Sequence, residues 1–205
     1  MVIMEQPGYG RSRPPDRNFS SDMLYKDAEL AAKLMQELNF QKYSVLGWSF
    51  GGVVGMIMAA NYPEQVEKLV AWGSATYISK AEMKIYEHIS DINNLSPLMQ
   101  HRFINYYGRE YFQRSWTKLL ETLTAIYKEQ EGELCNESVL NRISCPTLIL
   151  HGTHDIMLSP EHPAYIKKHI KNCRLHMIEE GKHNIQEQYS QEFNRVVDEF
   201  LRKSE

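Results

Sequence analysis

The sequence predicts an α/β protein in which a doubly wound, mostly parallel sheet is interrupted by an inserted helical segment. Three observations predict it. Strand-length apolar runs alternate with stretches of helical periodicity toward both ends of the chain, as in a parallel sheet covered on both faces. A Gly/Ser cluster, 47-GWSFGG-52, joins one such run to a long apolar stretch. Between residues 77 and 140 the alternation gives way to helical stretches rich in aromatics (Tyr86, Phe103, Tyr106, Tyr107, Tyr111, Phe112, Trp116, Tyr127) with no strand-like run. The expected division is an α/β core from residues 1–76 and 141–205, with a helical insertion over 77–140.

The chain opens on Val2-Ile3-Met4, a short strand or the end of one, and turns at Pro7-Gly8-Tyr9-Gly10. Pro14-Pro15-Asp16 is loop chemistry. Ser20 or Ser21 can cap a helix with Asp22 in its first turn. Leu24, Ala28, Ala31, Leu34, Met35 and Leu38 recur at helical spacing, which predicts a helix over 21–38. Residues 43–46 form a strand, the Gly/Ser cluster a sharp turn, and the apolar stretch behind it a buried helix ended by Pro63. Residues 69–72 are a further strand-length run before Gly73. After the insertion, 146–150 reads as a strand, a helix follows Pro160, 175–178 is another strand run, and a last helix covers about 186–202.

Composition narrows the function classes. At about 150 residues per domain, 205 residues suffice for one domain and not for two. With 42% hydrophobic and 24% charged residues the content is that of a globular protein, not of a disordered or fibrous one. The longest apolar run, 53–60, falls far short of the roughly 18 residues that suggest a membrane span, so no membrane partner is expected. Lys and Arg total 23 against 26 Asp and Glu, a net charge of −3, so nucleic acid is not an expected partner either. Cys135, Cys145 and Cys173 cannot all pair and form no CxxC, which points to a reducing, intracellular compartment. The first residues carry no basic n-region, apolar h-region or Arg-rich amphipathic start.

Gly47-Trp48-Ser49-Phe50-Gly51 reads GxSxG. A chance match in a chain of this length has a probability of roughly 0.07 at average Gly and Ser usage, so the context carries the weight. A strand precedes the motif and an apolar helix follows it, as a nucleophile elbow requires. The nucleophile on such a turn takes a strained backbone, so the residues two before and two after it must lack bulk, as Gly47 and Gly51 do. A serine hydroxyl needs a base, and the base needs a carboxylate to fix its tautomer. Asp155 stands just past one strand and His183 in the loop after the next, giving the order Ser, Asp, His at three strand ends, where doubly wound sheets place their sites.

Each residue also has a plainer alternative. Ser49 fits a packing turn or a phosphate cradle, although no GxxxxGK[ST] follows and Gly8, Gly10 and Arg13 fail GxGxxG. Asp155 fits a turn or helix-capping acid, and His183 a surface loop residue. His151, His154 and Asp155 lie close together as metal ligands do, but no other ligand group appears, so no metal site is expected.

In 7-PGYGRSRPPDR-17, 45-VLGWSFGG-52, 145-CPTLILHGTHD-155 and 181-GKHN-184 the chain resembles the α/β-hydrolase family, and within it the valacyclovir-hydrolase-like (biphenyl-hydrolase-like) branch. The resemblance implies Ser49 as nucleophile, His183 as general base, Asp155 as its orienting carboxylate, and the Phe50 N–H as one oxyanion-hole donor. It makes residues 77–140 a helical lid. Substrate contacts are expected from Trp48 and from the lid residues Tyr111, Phe112 and Trp116, whose alternative is to pack lid helices together. No cofactor, a small-molecule ester as the partner, a monomer, and a mitochondrial or cytoplasmic location complete the expectation. Carbon–carbon bond hydrolases use the same triad and stay open as an alternative.

Two departures from the family pattern matter. Members that cleave amino-acid esters carry an acidic residue directly after the nucleophile, where this chain has Phe50. A phenyl ring offers a cation–π face of about 0.5–2 kcal/mol but no charge-assisted hydrogen bond, so amino-acid esters and esters of apolar or aromatic acids both stay open as substrates. The family also places about three strands and a helix, roughly 50 residues, ahead of the segment with which this chain opens. The loop after the third of those strands supplies the second oxyanion donor. The sequence therefore reads as an N-terminally truncated α/β-hydrolase whose Ser49-bearing strand lacks one neighbour. Its first residues are expected either beside 43–46 or poorly anchored, and a non-catalytic shortened isoform or gene-model fragment is the competing reading.

Overall fold

The apolar runs become a single four-stranded sheet in a computed structural model that describes residues 1–203. Tyr43–Trp48 (β1), Val66–Trp72 (β2), Thr147–Gly152 (β3) and Cys173–Ile178 (β4) pair in that order, every pair parallel. Successive side chains point to opposite faces of a strand, and both faces here are covered. On one face Val70, Leu148 and Leu150 pack with Phe193, Val196, Val197 and Phe200 of α9 (Ser190–Arg202), four residues at the i, i+3, i+4, i+7 spacing of a single helical stripe. On the other, α2 (Phe50–Asn61) approaches so closely that a Cβ on Gly55 would stand 2.9 Å from Leu69 Cδ1 and 3.1 Å from Val45 Cγ1. All six residues of β3 are buried. Full burial of side chains such as Leu148, Ile149 and Leu150 contributes roughly 1.5–3 kcal/mol each.

The chain divides into two compact units. One joins residues 24–77 to the chain from Leu134 onward and holds the sheet; the other joins residues 1–23 to 78–133. The first 23 residues thus group with the helical segment, and α6 (Glu137–Leu140) groups with the sheet. Within the sheet unit the amides of Leu134 and Cys135 both donate to the Thr76 carbonyl at 2.9 Å, so the excursion leaves and returns at one point. The sheet unit also contains α1 (Met23–Glu37), α7 (Glu161–His169) and α8 (Ile185–Gln188). The single helix expected over 186–202 is two, interrupted at Tyr189, whose φ of −122° and ψ of 41° are not helical.

The helical unit comprises α3 (Lys80–His88), a 3₁₀ turn at Ile92–Asn94, α4 (Pro97–Tyr107) and α5 (Arg109–Glu129). Ser79 and Glu82 form a capping box at α3, and Ser96 caps α4 with Pro97 at its first position. Residues 1–6 form no strand, against the expectation for Val2-Ile3-Met4, and Met1, Val2 and Ile3 are exposed. An extended segment with no strand beside it has no ladder to join, and among the described residues β1 pairs only with β2. The following loop is held instead by tyrosines: the Tyr111 hydroxyl donates to Gly8 O at 2.9 Å, and the Gly10 amide donates to the Tyr107 hydroxyl at 3.1 Å. Among the described residues no helix is long and apolar enough to cross a membrane.

Candidate active site

Parallel pairing places the C-terminal ends of all four strands at one edge of the sheet, and three of those ends carry Ser49, Asp155 and His183. Ser49 stands between β1 and α2 with φ 55° and ψ −122°, a conformation that costs a non-glycine residue on the order of 1–3 kcal/mol. Hydrogen bonds hold the turn from both sides. The Ser49 amide donates to Trp72 O at 2.9 Å, and its carbonyl accepts from the Gly52 amide and from the Ser74 hydroxyl, each at 3.0 Å. A serine at this position usually caps the helix that follows. Here the strained backbone turns the side chain away from that task, and the Ser49 hydroxyl makes no cap bond.

The steric demands of the turn fall partly where the sequence places them. A Cβ on Gly47 would stand 2.1 Å from Gly51 O, so Gly47 is required. Gly51 is not: a Cβ there meets nothing within 4 Å. The second demand falls one residue later, on Gly52, where a Cβ would lie 1.9 Å from Ser74 Oγ at the end of β2. Phe50 is the first residue of α2, so its amide has no carbonyl of its own helix to bond and stays available as a donor.

Asp155 and His183 are brought together by two loops packed backbone to backbone. A Cβ on Gly152 would stand 2.1 Å from Gly181 O, and the amides of Thr153 and His154 donate to Ile178 O and Gly181 O at 3.0 and 2.8 Å. The Asp155 side chain is 1% exposed. One carboxylate oxygen accepts from the Met157 and Leu158 amides at 2.8 and 3.3 Å, and the other accepts from His183 Nδ1–H at 2.8 Å. It is therefore a turn acid and a partner of histidine at once. Burial works to raise the Asp155 carboxyl, but the hydrogen bond and charge of His183, the Met157 amide and the charge of His151 outweigh it and hold the acid below its ordinary value. The His183 side chain, 18% exposed, keeps Nε2 free of hydrogen bonds among the described residues.

A fourth residue enters that sequence spacing suggested only as a metal ligand. His151, on β3, is buried with its Nε2 3.9 Å from Asp155 Oδ2 and without a hydrogen bond. Burial lowers its proton affinity, His183 and His162 add to that, and Asp155 opposes it. Among the described residues no group of three His, Cys, Asp or Glu side chains is arranged to hold a metal.

The four expected substrate contacts all have partners inside their own units. The Trp48 indole N–H donates to His183 O at 3.1 Å. In the helical unit, Tyr111 bonds Gly8 and lies under the Arg13 guanidinium, 3.4 Å from the ring centroid. Phe112 is buried and stacks on Phe103 with centroids 5.0 Å apart, and the Trp116 indole donates to Ile89 O at 2.7 Å.

A strained serine after a strand, with a buried Asp–His pair at the same sheet edge, is matched by the comparison with known families: the chain fits the alpha/beta hydrolase fold family over residues 1–85 and 78–189. The chain belongs to the α/β-hydrolase family. This hydrolase is 39% identical over 201 residues to the serine hydrolase BPHL of Homo sapiens, covering 98% of the hydrolase and 69% of the relative. The Mus musculus serine hydrolase BPHL is 37% identical with the same coverage. A 2-hydroxymuconate semialdehyde hydrolase of Pseudomonas putida is 24% identical over 230 residues, 100% of the hydrolase and 78% of the relative. Among solved structures, a 2-hydroxy-6-oxo-6-phenylhexa-2,4-dienoate hydrolase from Rhodococcus sp. superposes with a TM-score of 0.78 at 18% identity, covering 96% of the hydrolase and 77% of that chain, a likeness of fold. The family and its relatives make the chain a hydrolytic enzyme.

Proposed function

We propose that this hydrolase cleaves carboxylic esters of apolar or aromatic acids through a serine acyl-enzyme. The observation that carries the reading is the 2.8 Å bond from His183 Nδ1–H to Asp155, at the sheet edge where β1 presents Ser49 on its strained turn. Asp155, ionised and buried, fixes the tautomer that leaves His183 Nε2 as the base. Nε2 takes the Ser49 hydroxyl proton as Oγ bonds to the ester carbonyl carbon, and the Phe50 amide donates to the oxyanion. The imidazolium then protonates the departing alkoxide oxygen, which breaks the C–O bond and leaves the acyl group on Oγ. A water gives its proton to His183 as its oxygen adds to the acyl carbon; the proton returns to Oγ and the acid leaves. Phe50, in place of an acid, disfavours an ammonium group on the acyl portion.

A carbon–carbon bond hydrolase is the second reading, favoured by relatives whose names describe 2-hydroxymuconate semialdehyde and 2-hydroxy-6-oxononadienedioate hydrolases. The test is to treat the purified chain and its Ser49→Ala variant with a fluorophosphonate probe and to assay a short aryl ester and a vinylogous 1,5-diketone. Labelling of the native chain alone, with ester turnover exceeding diketone turnover, is the expected result. Labelling no greater than that of Ser49→Ala would remove the catalytic reading from this chain, and diketone turnover in excess would favour the second.

A further inference from the structure

We infer that Trp48 is a positioning residue that fixes the base to the nucleophile's own strand, an inference that rests on the serine-hydrolase reading above. Trp48 is the last residue of β1, directly before Ser49. Its indole N–H donates to the backbone carbonyl of His183 at 3.1 Å, and the indole and imidazole centroids lie 5.3 Å apart with the rings tilted by 46°. Gly73, just past β2 with φ 53°, makes room for both: a Cβ there would lie 3.2 Å from Trp48 Nε1 and 3.3 Å from His183 Cε1 and Nδ1. The last residue of β1 and residues following β2 and β4 therefore meet at one point beside the base.

The Asp155 bond alone does not define where His183 stands. A single hydrogen bond on Nδ1 fixes the tautomer but lets the ring swing about that bond, and the backbone packing at Gly181 acts two residues before the base. The His154 amide holds Gly181 O at 2.8 Å, and nearer the base the Lys182 amide bonds Gln188 Oε1 at 3.2 Å in an exposed contact. Trp48 adds a restraint at the carbonyl of the base itself, and because Trp48 and Ser49 are consecutive, the restraint is referred directly to the nucleophile. Trp48 is 38% exposed, and its hydrogen bond and ring contact tie it to the base.

Trp48→Phe keeps a ring and removes the donor; Gly73→Ala crowds the same point. Each is expected to lower kcat with little change in KM, and to slow fluorophosphonate labelling equally, by up to about 100-fold, the effect of an ångström-scale misplacement. Thermal unfolding separates this from loss of fold. A third measurement needs no variant of Trp48: the imidazole lies against the indole, so the native fluorescence spectrum should change in His183→Gln. Labelling of Trp48→Phe at the native rate, a raised KM at native kcat, or an emission spectrum unchanged in His183→Gln would each overturn the inference. Absence of labelling in the native chain would instead defeat the serine-hydrolase reading on which it stands.

Discussion

Ser49 is the residue at which fold and chemistry oppose each other. Its φ of 55° and ψ of −122° suit glycine, yet the proposed mechanism needs a hydroxyl there. Ser49→Gly is expected to stabilise the protein by about 1 kcal/mol, a strain of about 1–3 kcal/mol relieved and about 0.5–1 kcal/mol of added chain entropy set against it, while acylation is lost. Ser49→Ala keeps the Cβ and gains nothing, so equal melting temperatures for the two variants would place the strain elsewhere. His151 gives the second residue-scale expectation. Its folded proton affinity is lowered by burial, with His183 and His162 adding and Asp155 opposing. Below the ordinary histidine value of about 6.5 the unfolded chain binds a proton that the folded chain refuses, so stability falls as pH falls from there toward the folded value. The slope is up to about 1.4 kcal/mol per pH unit. Above about pH 6.5 both states are neutral at this site and its contribution is flat. Urea unfolding between pH 7.5 and 5 should show a shallower slope for His151→Phe than for the native chain; identical slopes would exclude His151 as the source.

Elements with a strong period were legible in the sequence, and those decided by a neighbour were not. The helix expected over 21–38 forms as Met23–Glu37, and the strand expected at 43–46 extends to Trp48. Period and punctuation were enough in both places. Val2-Ile3-Met4 has strand composition but no strand beside it, and Tyr189 breaks a helix whose apolar spacing runs on without interruption. Ser49, Asp155 and His183 were legible because each follows a strand, whereas Gly52, Ser74 and His151 depend on contacts between elements that no spacing encodes. β1 has a consequence at this scale. Among the described residues it pairs on one side only and exposes Leu46 at 46%, and an unpaired strand edge is a template for pairing with another chain. Leu46→Lys should leave the melting temperature nearly unchanged and reduce light scattering on prolonged incubation; undiminished scattering would show that self-association uses another surface.

At the scale of the whole molecule, the least legible feature is that residues 1–23 group with 78–133 and not with the strand that follows them. Nothing periodic announces it, because the ties are single polar contacts between residues far apart in sequence. Tyr111 Oη reaches Gly8 O, the Gly10 amide reaches Tyr107 Oη, Arg114 pairs with Asp16 at 3.2 Å, and the Thr122 hydroxyl donates to Phe19 O at 3.3 Å. Arg114 and Asp16 are exposed, so that pair adds little; the half-buried tyrosine bonds carry more, about 0.5–1.5 kcal/mol each. The sheet unit has a different source of stability, two central strands buried on both faces. Hydrogen exchange should therefore separate the two. In the native chain the slowest amides should be those of Leu69, Val70, Leu148, Ile149 and Leu150, buried in paired strands. Tyr111→Phe should accelerate exchange over residues 7–17 by about tenfold, the equivalent of one such bond, and leave the amides of β2 and β3 at their native rates. Equal acceleration in β2 and β3 would mean that the tyrosine bonds belong to a single cooperative structure, and that the division into two units describes packing without describing stability.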